Sequence, residues 1–169
     1  YMADTLAPHN NIPKRDLILF PHRIAPEKQP EIFRDLKASL PQYEFVMCQE
    51  QELTKNEYHN LLGEAKIVFS ANLQETLGIS WYEGALVGAI PMVPDRLSYS
   101  EMALPEFKYP SEWTQNFENY REHKQQVCDT IVDYIENYDK YTNLVNKQAL
   151  KLKDEYFGAG KLISTIKNR

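Results

Sequence analysis

Two short stretches of this chain gather residue types suited to an anionic ligand rich in hydroxyl groups. The first is Phe20-Pro21-His22-Arg23-Ile24-Ala25-Pro26-Glu27-Lys28, where prolines stiffen a loop that carries two cations. The Arg23 guanidinium can grip two phosphate oxygens at once while the Lys28 ammonium serves as a mobile point charge, a division of labour that suits a diphosphate. Taken alone, two solvated surface cations are the simpler reading of this pair. The second stretch is Glu75-Thr76-Leu77-Gly78-Ile79-Ser80-Trp81-Tyr82-Glu83-Gly84-Ala85, in which two glutamates flank a helix start. Gly78 has no side chain, so a ligand can approach the free amides of the first helical turn, where the helix dipole also favours negative charge. Glu75 just before that helix and Glu83 about a turn and a half inside it can face one crevice. Carboxylates beside a polyanion are unfavourable unless they address neutral hydroxyls and leave the phosphates to Arg23 and Lys28. The alternative is a Glu75 favoured by the dipole and a Glu83 on a solvated face. Against it stand Trp81, Tyr82, Ala85, Leu86 and Val87, which leave little of this helix exposed.

The elements that must position these residues are legible in the hydrophobic pattern. Leu17-Ile18-Leu19-Phe20 is an apolar run too short for a helix and bounded by Pro21, as in a buried parallel strand. Ile32, Phe33, Leu36 and Leu40 then recur at helical spacing behind Pro30, a favoured first-turn residue. Glu44 to Cys48 reads as a second strand, and Thr54-Lys55-Asn56-Glu57 as a capping box opening a helix with Tyr58, Leu61, Leu62 and Ala65. A third strand is expected over Lys66 to Ser70, a helix from about Gly78 to Val87, and a further short strand over Ala89 to Val93. This alternation predicts an α/β fold, a Rossmann-like parallel sheet with helices on both faces. Beyond Pro110 the chain turns charged and helical, with Val127, Ile131, Ile135 and Tyr138 about one turn apart. Three regions are therefore expected: a linker over 1–16, a core over 17–110, and C-terminal helices over 111–169 packing on it. In an open parallel sheet ligands bind past the carboxyl ends of the strands, where both stretches fall.

Glu75, seven intervening residues and Glu83, followed by Gly84-Ala85-Leu86-Val87-Gly88-Ala89-Ile90-Pro91-Met92-Val93, resembles the signature of the retaining glycosyltransferase family 4, whose architecture is GT-B. Arg23 and Lys28 match that family's upstream basic pair, and the resemblance extends over roughly Leu17 to Leu104. It implies the donor-binding half of a GT-B fold, moving a sugar from a nucleotide-diphosphate sugar to an acceptor with retention. Arg23 and Lys28 would neutralise the departing diphosphate, Glu75 would hold hydroxyls of the transferred sugar, and Glu83 would bind the ribose. Thr76, Leu77, Gly78 and Ile79 would line the phosphate and sugar, with His22 beside them. The base would meet a wall over Gln49 to Leu53, so Leu53 is counted among the contacts. Such enzymes need no metal or cofactor beyond the donor, and no protein nucleophile is expected.

There are departures from the pattern. His22 stands where the family usually has Gly, Gln29 replaces a common Gly after the Lys, and Ser98-Tyr99-Ser100 replaces a frequent Gly-Gly turn ahead of Glu101. The separation of Arg23 from Glu75 is short, as if one strand-helix unit were missing between the second and third strands. The resemblance also implies an acceptor-binding N-terminal domain outside this chain, without which donor is bound but not efficiently transferred. A nucleotide-sugar epimerase would use the same diphosphate site but needs acid and base groups that are not identifiable here. A non-catalytic module with a decayed sugar site is the other alternative.

Composition narrows the classes. The 169 residues suit one domain, and 19 basic against 24 acidic residues give a net charge of −5, which predicts no direct nucleic-acid partner. No apolar run approaches a membrane span and no signal-peptide pattern opens the chain, so a cytoplasmic protein is expected. Cys48 and Cys128 lack CxxC spacing and are expected to be reduced thiols. His9, His22, His59 and His123 are scattered without ligand spacing, which points to surface or loop positions. Gly158-Ala159-Gly160-Lys161 lacks the spacing and the Ser or Thr of a P-loop. The tyrosines of the C-terminal helices are expected to pack between helices.

Overall fold

Leu17–Phe20 forms the first strand, β1, and every one of its residues is buried. In the computed structural model, residues 14–21, 26–48, 53–73, 84–85, 87–96 and 99–155 are described. A run buried on both faces must belong to the interior of a sheet covered on each side. β1 pairs in parallel with β2, Glu44–Met47, and on its other edge with β3, Ile67–Phe69. β3 pairs with β4, Ile90–Pro94, and β4 with β5, Lys108–Tyr109, both again in parallel. The order is β2-β1-β3-β4-β5, an all-parallel five-stranded sheet of Rossmann-like α/β type.

The period of two along the strands divides the core between the two faces. Ile18 and Phe20 of β1, Ile67 and Phe69 of β3, and Ile90 and Met92 of β4 meet α1, Pro30–Ser39, through Ile32, Phe33 and Leu36. Phe33 is the hub of that layer, with its ring 5.3 Å from Phe20 and 5.4 Å from Phe45. The same layer takes in Tyr120, Val127, Ile131 and Tyr134 of α4, Phe117–Glu136. Leu17, Leu19 and Val68 face the other way, towards Leu62 of α2, Lys55–Glu64, and towards Tyr99 and Met102 of α3, Tyr99–Met102. Helices therefore cover both faces, as the apolar runs predict. The last helix, α5, Tyr138–Glu155, places Val145 in the first layer and Leu152 in the second.

Local signals hold where they are strong. Pro30 opens α1, and Thr54 accepts the Glu57 N–H while Glu57 accepts that of Thr54, a closed capping box. Asn116 caps α4 through the Asn119 N–H. The short strand β5 and helix α3 are additions to the expected elements, too brief to show a period. Of the helix expected over Gly78 to Val87, Gly84 and Ala85 are helical, and Val87 already belongs to the turn that leads through Gly88 at φ 89° into β4. Lys14 to Asp16 are tied to the core: the Glu44 N–H of β2 donates to Asp16 O at 2.9 Å, the Arg15 N–H donates to Glu64 O at the end of α2, and Lys66 pairs with Asp16 at 2.7 Å.

The cysteines are free thiols on opposite faces of the sheet, Cys48 buried in the second layer and Cys128 against the first. Burial pushes the Cys48 thiol up to about 12. Two histidines depart from expectation. His59 is buried on α2 beside the Tyr58 ring, and His123 is half-buried on α4, stacked on Trp113. Each lies on a helix face turned towards the core, a placement that scatter along the sequence cannot reveal. Tyr120, Tyr134, Tyr138 and Tyr141 do pack between elements. No helix among the described residues is long and apolar enough to cross a membrane.

Candidate functional site

From β1 the chain passes through α1 to β2 on one side, then returns through α2 to β3 on the other. At such a reversal the two connections lie on opposite faces and leave a crevice past the carboxyl ends of β1 and β3, the usual ligand position in this class of sheet. Lys28 closes a 3-10 turn, Pro26–Lys28, in the connection from β1 to α1. The chain leaving β3 runs alongside it, and the Leu73 N–H donates to Glu27 O at 2.6 Å. The structure thus brings the Lys28 turn and the end of the described chain after β3, at Leu73, to one place.

What holds them together is a layer of polar side chains beneath the crevice. Gln29 follows Lys28 with φ 52° and ψ 55°, the left-handed region where L residues are rare. A backbone of this kind suits glycine, and here the side chain supplies what a glycine would lack. Gln29 is only 2 % exposed, and its Nε2 donates to Ala71 O at 2.7 Å and also to Thr114 O. Arg96, just past β4, reaches the same two carbonyls through Nη2, at 2.9 Å and 3.1 Å. Its Nε donates to Asn72 O at 2.8 Å, and its Nη1 to Ser111 O at 2.9 Å and Ser111 Oγ at 3.2 Å. All five guanidinium N–H groups are thereby engaged, so Arg96 has none left over for a phosphate. Burial lowers the Arg96 pKa, against opposing contributions from Tyr109 and Tyr99.

Around this pair the hydroxyls are satisfied in turn. Tyr109 Oη donates to Ser70 O and accepts from Thr114 Oγ1 at 3.1 Å, while Tyr99 Oη lies 3.0 Å from Ser70 Oγ and accepts from Asn72 Nδ2. A buried hydrogen-bonded network of this kind rigidifies the backbone that it joins. Here that backbone is the carboxyl end of β3 and its two neighbouring loops.

Of the residues expected at the site, Lys28 is half-buried at the crevice. Leu53 is half-buried and packs against the second core layer. It directly precedes the Thr54 cap, so it and Tyr58 occupy the positions of a hydrophobic staple. His22, Arg23, Glu75, Thr76, Leu77, Gly78, Ile79 and Glu83 lie outside the described residues. Glu83 immediately precedes Gly84, and a Cβ placed on Gly84 would meet Val68 Cγ2 at 2.6 Å, so the helix backbone there rests directly on β3. Among the described residues no three His, Cys, Asp or Glu side chains converge as metal ligands do.

No protein-family model matches this chain, and no curated protein is similar to it in sequence. The meaning of the site therefore rests on its residues and geometry.

Gln29 and Arg96 are the residues that reading for chemistry passed over. A signal was available for Arg96, since the positions just past each strand merit the closest reading and Asp95-Arg96 stands just past β4. Gln29 was visible only as the wrong residue where glycine is common. A second cleft, of about 640 Å³, opens at the opposite, amino edge of the sheet between Lys14, Lys66, Tyr138 and Lys140. Topology favours the carboxyl edge despite that volume, because the loops free to vary without disturbing the sheet's connections meet there.

Proposed function

We propose that this chain is the donor-binding domain of a metal-independent, retaining glycosyltransferase of GT-B architecture, taking a nucleotide-diphosphate sugar. The observation that carries this reading is the joining of the Lys28 turn to the end of β3 at the reversal of strand order, with the glutamate motif following directly in sequence. The order β2-β1-β3-β4-β5 lends further support. It is what the common dinucleotide-fold order 3-2-1-4-5-6 becomes when its outer third strand is removed, in keeping with the short separation of Arg23 from Glu75.

Each residue then has a task. Arg23 and Lys28 balance the charge that builds on the diphosphate as the bond to the sugar breaks, and fixed cations in a partly dry crevice stabilise that charge without an ion. Amides around Leu77, Gly78 and Ile79 add donors at a helix start. Glu75 accepts hydrogen bonds from the sugar and Glu83 from the ribose. The acceptor is supplied by a second domain.

The division of labour between the glutamates is testable by calorimetry with nucleoside diphosphates and their sugar conjugates. Glu83→Ala is expected to weaken both ligand classes together, whereas Glu75→Ala weakens only the advantage of the conjugate over the bare diphosphate. Equal affinities for both classes across the wild type and both variants would refute the assignment.

A further inference from the structure

The Gln29 and Arg96 side chains form an unusual closed arrangement. Two main-chain carbonyls, Ala71 O and Thr114 O, each receive one N–H from Gln29 and one from Arg96. Four loops meet at this point: the turn after β1 through Gln29, the exit of β3 through Ala71 and Asn72, the exit of β4 through Arg96, and the turn after β5 through Ser111 and Thr114. Carbonyls in loops carry no ladder partners of their own, so side chains must satisfy them once they are buried. A single planar fork with five donors can do this for two loops at once while standing on a third, which an ammonium cannot.

We propose that Gln29 and Arg96 act together as a positioning unit that fixes the distance between Lys28 and the chain leaving β3, and thereby the width of the donor crevice, a role that rests on the nucleotide-sugar reading above. Neither side chain touches the donor. Lys28 is held because Gln29, its neighbour, is anchored to Ala71. The exit of β3 is held because Arg96 grips the Ala71 and Asn72 carbonyls from the far side. The Leu73 N–H bond to Glu27 O bridges the two loops between these anchors and reports on their separation.

Two variants test the unit without depending on one that fails to fold. Gln29→Gly removes the bridging amide while making the backbone at φ 52° easier to adopt. Arg96→Lys keeps the charge but loses the fork. Amide hydrogen exchange is followed at Leu73 and at strand residues of β1 and β3. Both variants are expected to lose at least about tenfold protection at Leu73, with the strand amides changed by less than about twofold, since local opening is separable from global unfolding. Protection at Leu73 that stays as in wild type, or falls in parallel with the strands, would overturn the positioning role in favour of a purely structural one.

A second arm titrates wild type and both variants with UDP, GDP and ADP. The nucleotide that binds wild type should bind each variant about tenfold more weakly, the effect of losing one charge-assisted contact's worth of register. Selective loss at Leu73 together with no nucleotide binding even by wild type would sink the donor reading while leaving the coupling of the loops standing. Unchanged nucleotide affinity in both variants would overturn the unit's part in setting the crevice.

Discussion

Gly84→Ala probes whether the helix behind Glu83 must lie directly on the sheet. The added Cβ would sit 2.6 Å from Val68 Cγ2, and ordinary contact begins only near 3.4 Å. Val68 cannot swing aside easily: it is fully buried on β3 between β1 and β4, and its branched side chain has few rotamers. Overpacking of this kind costs ~1–3 kcal/mol. Alanine's better helix propensity returns about 1 kcal/mol, so a net loss of up to ~2 kcal/mol is expected, or up to about 8 °C in Tm for a chain of this size. Urea unfolding followed by circular dichroism measures it. Val68→Ala removes the opposing methyls at its own cavity cost, and the double variant should be more stable than the two single losses predict, by about 1 kcal/mol. A Gly84→Ala protein more stable than wild type, or simple additivity with Val68→Ala, would refute the close approach.

Three further outcomes are expected. Burial favours the neutral Asp35 carboxyl, but hydrogen bonds from Tyr120 and Lys124 outweigh that and hold its pKa below the usual value; the resulting stability is present above the unfolded value near 4 and is lost as pH falls through the lower folded one. Tyr120→Phe should lower stability by about 1 kcal/mol at pH 7 and flatten the loss of stability in acid, both read from urea midpoints against pH. Burial lowers the Lys14 ammonium from 10.5 to about 7 even though Leu62 O and Val87 O accept from it. The folded state then binds fewer protons than the unfolded between those values, so stability should rise with pH from about 7 towards 10.5, and Lys14→Met should remove that slope. Cys48, with its raised thiol pKa and buried position, should react with iodoacetamide far more slowly than half-buried Cys128 in the native protein, and at a similar rate once unfolded; mass mapping of the alkylated cysteines decides it.

Much of the fold was legible because its signals are local. An apolar tetrapeptide ended by Pro21, a proline at the start of α1 and the Thr54 to Glu57 box each need only their own neighbours to be interpreted, and each stands where it was read. β5 was not legible, because two residues cannot display a period of two; Lys108 and Tyr109 become a strand only by pairing with Val93 and Pro94. The buried positions of His59 and His123 were missed for a related reason, since which face of a helix turns inward depends on what packs there. Of the candidate site's residues the structure describes Lys28 and Leu53, and it adds the meeting of the Lys28 turn with the β3 exit. Its supporting layer was opaque in the sequence because Arg96 and Gln29 bind main-chain carbonyls of distant loops, acceptors that every residue type supplies equally. Only the departure of Gln29 from the glycine that the resemblance implies after the lysine hinted at them.

The central claim is tested most directly by calorimetric titration of this domain with UDP, GDP, ADP and their common sugar conjugates, beside an Arg23→Ala/Lys28→Ala variant. Saturable binding of one nucleotide family, lost in the variant, is the predicted result and would name the base. Binding that persists undiminished without the two cations would contradict the account, as would the absence of binding by any of the nucleotides to wild type.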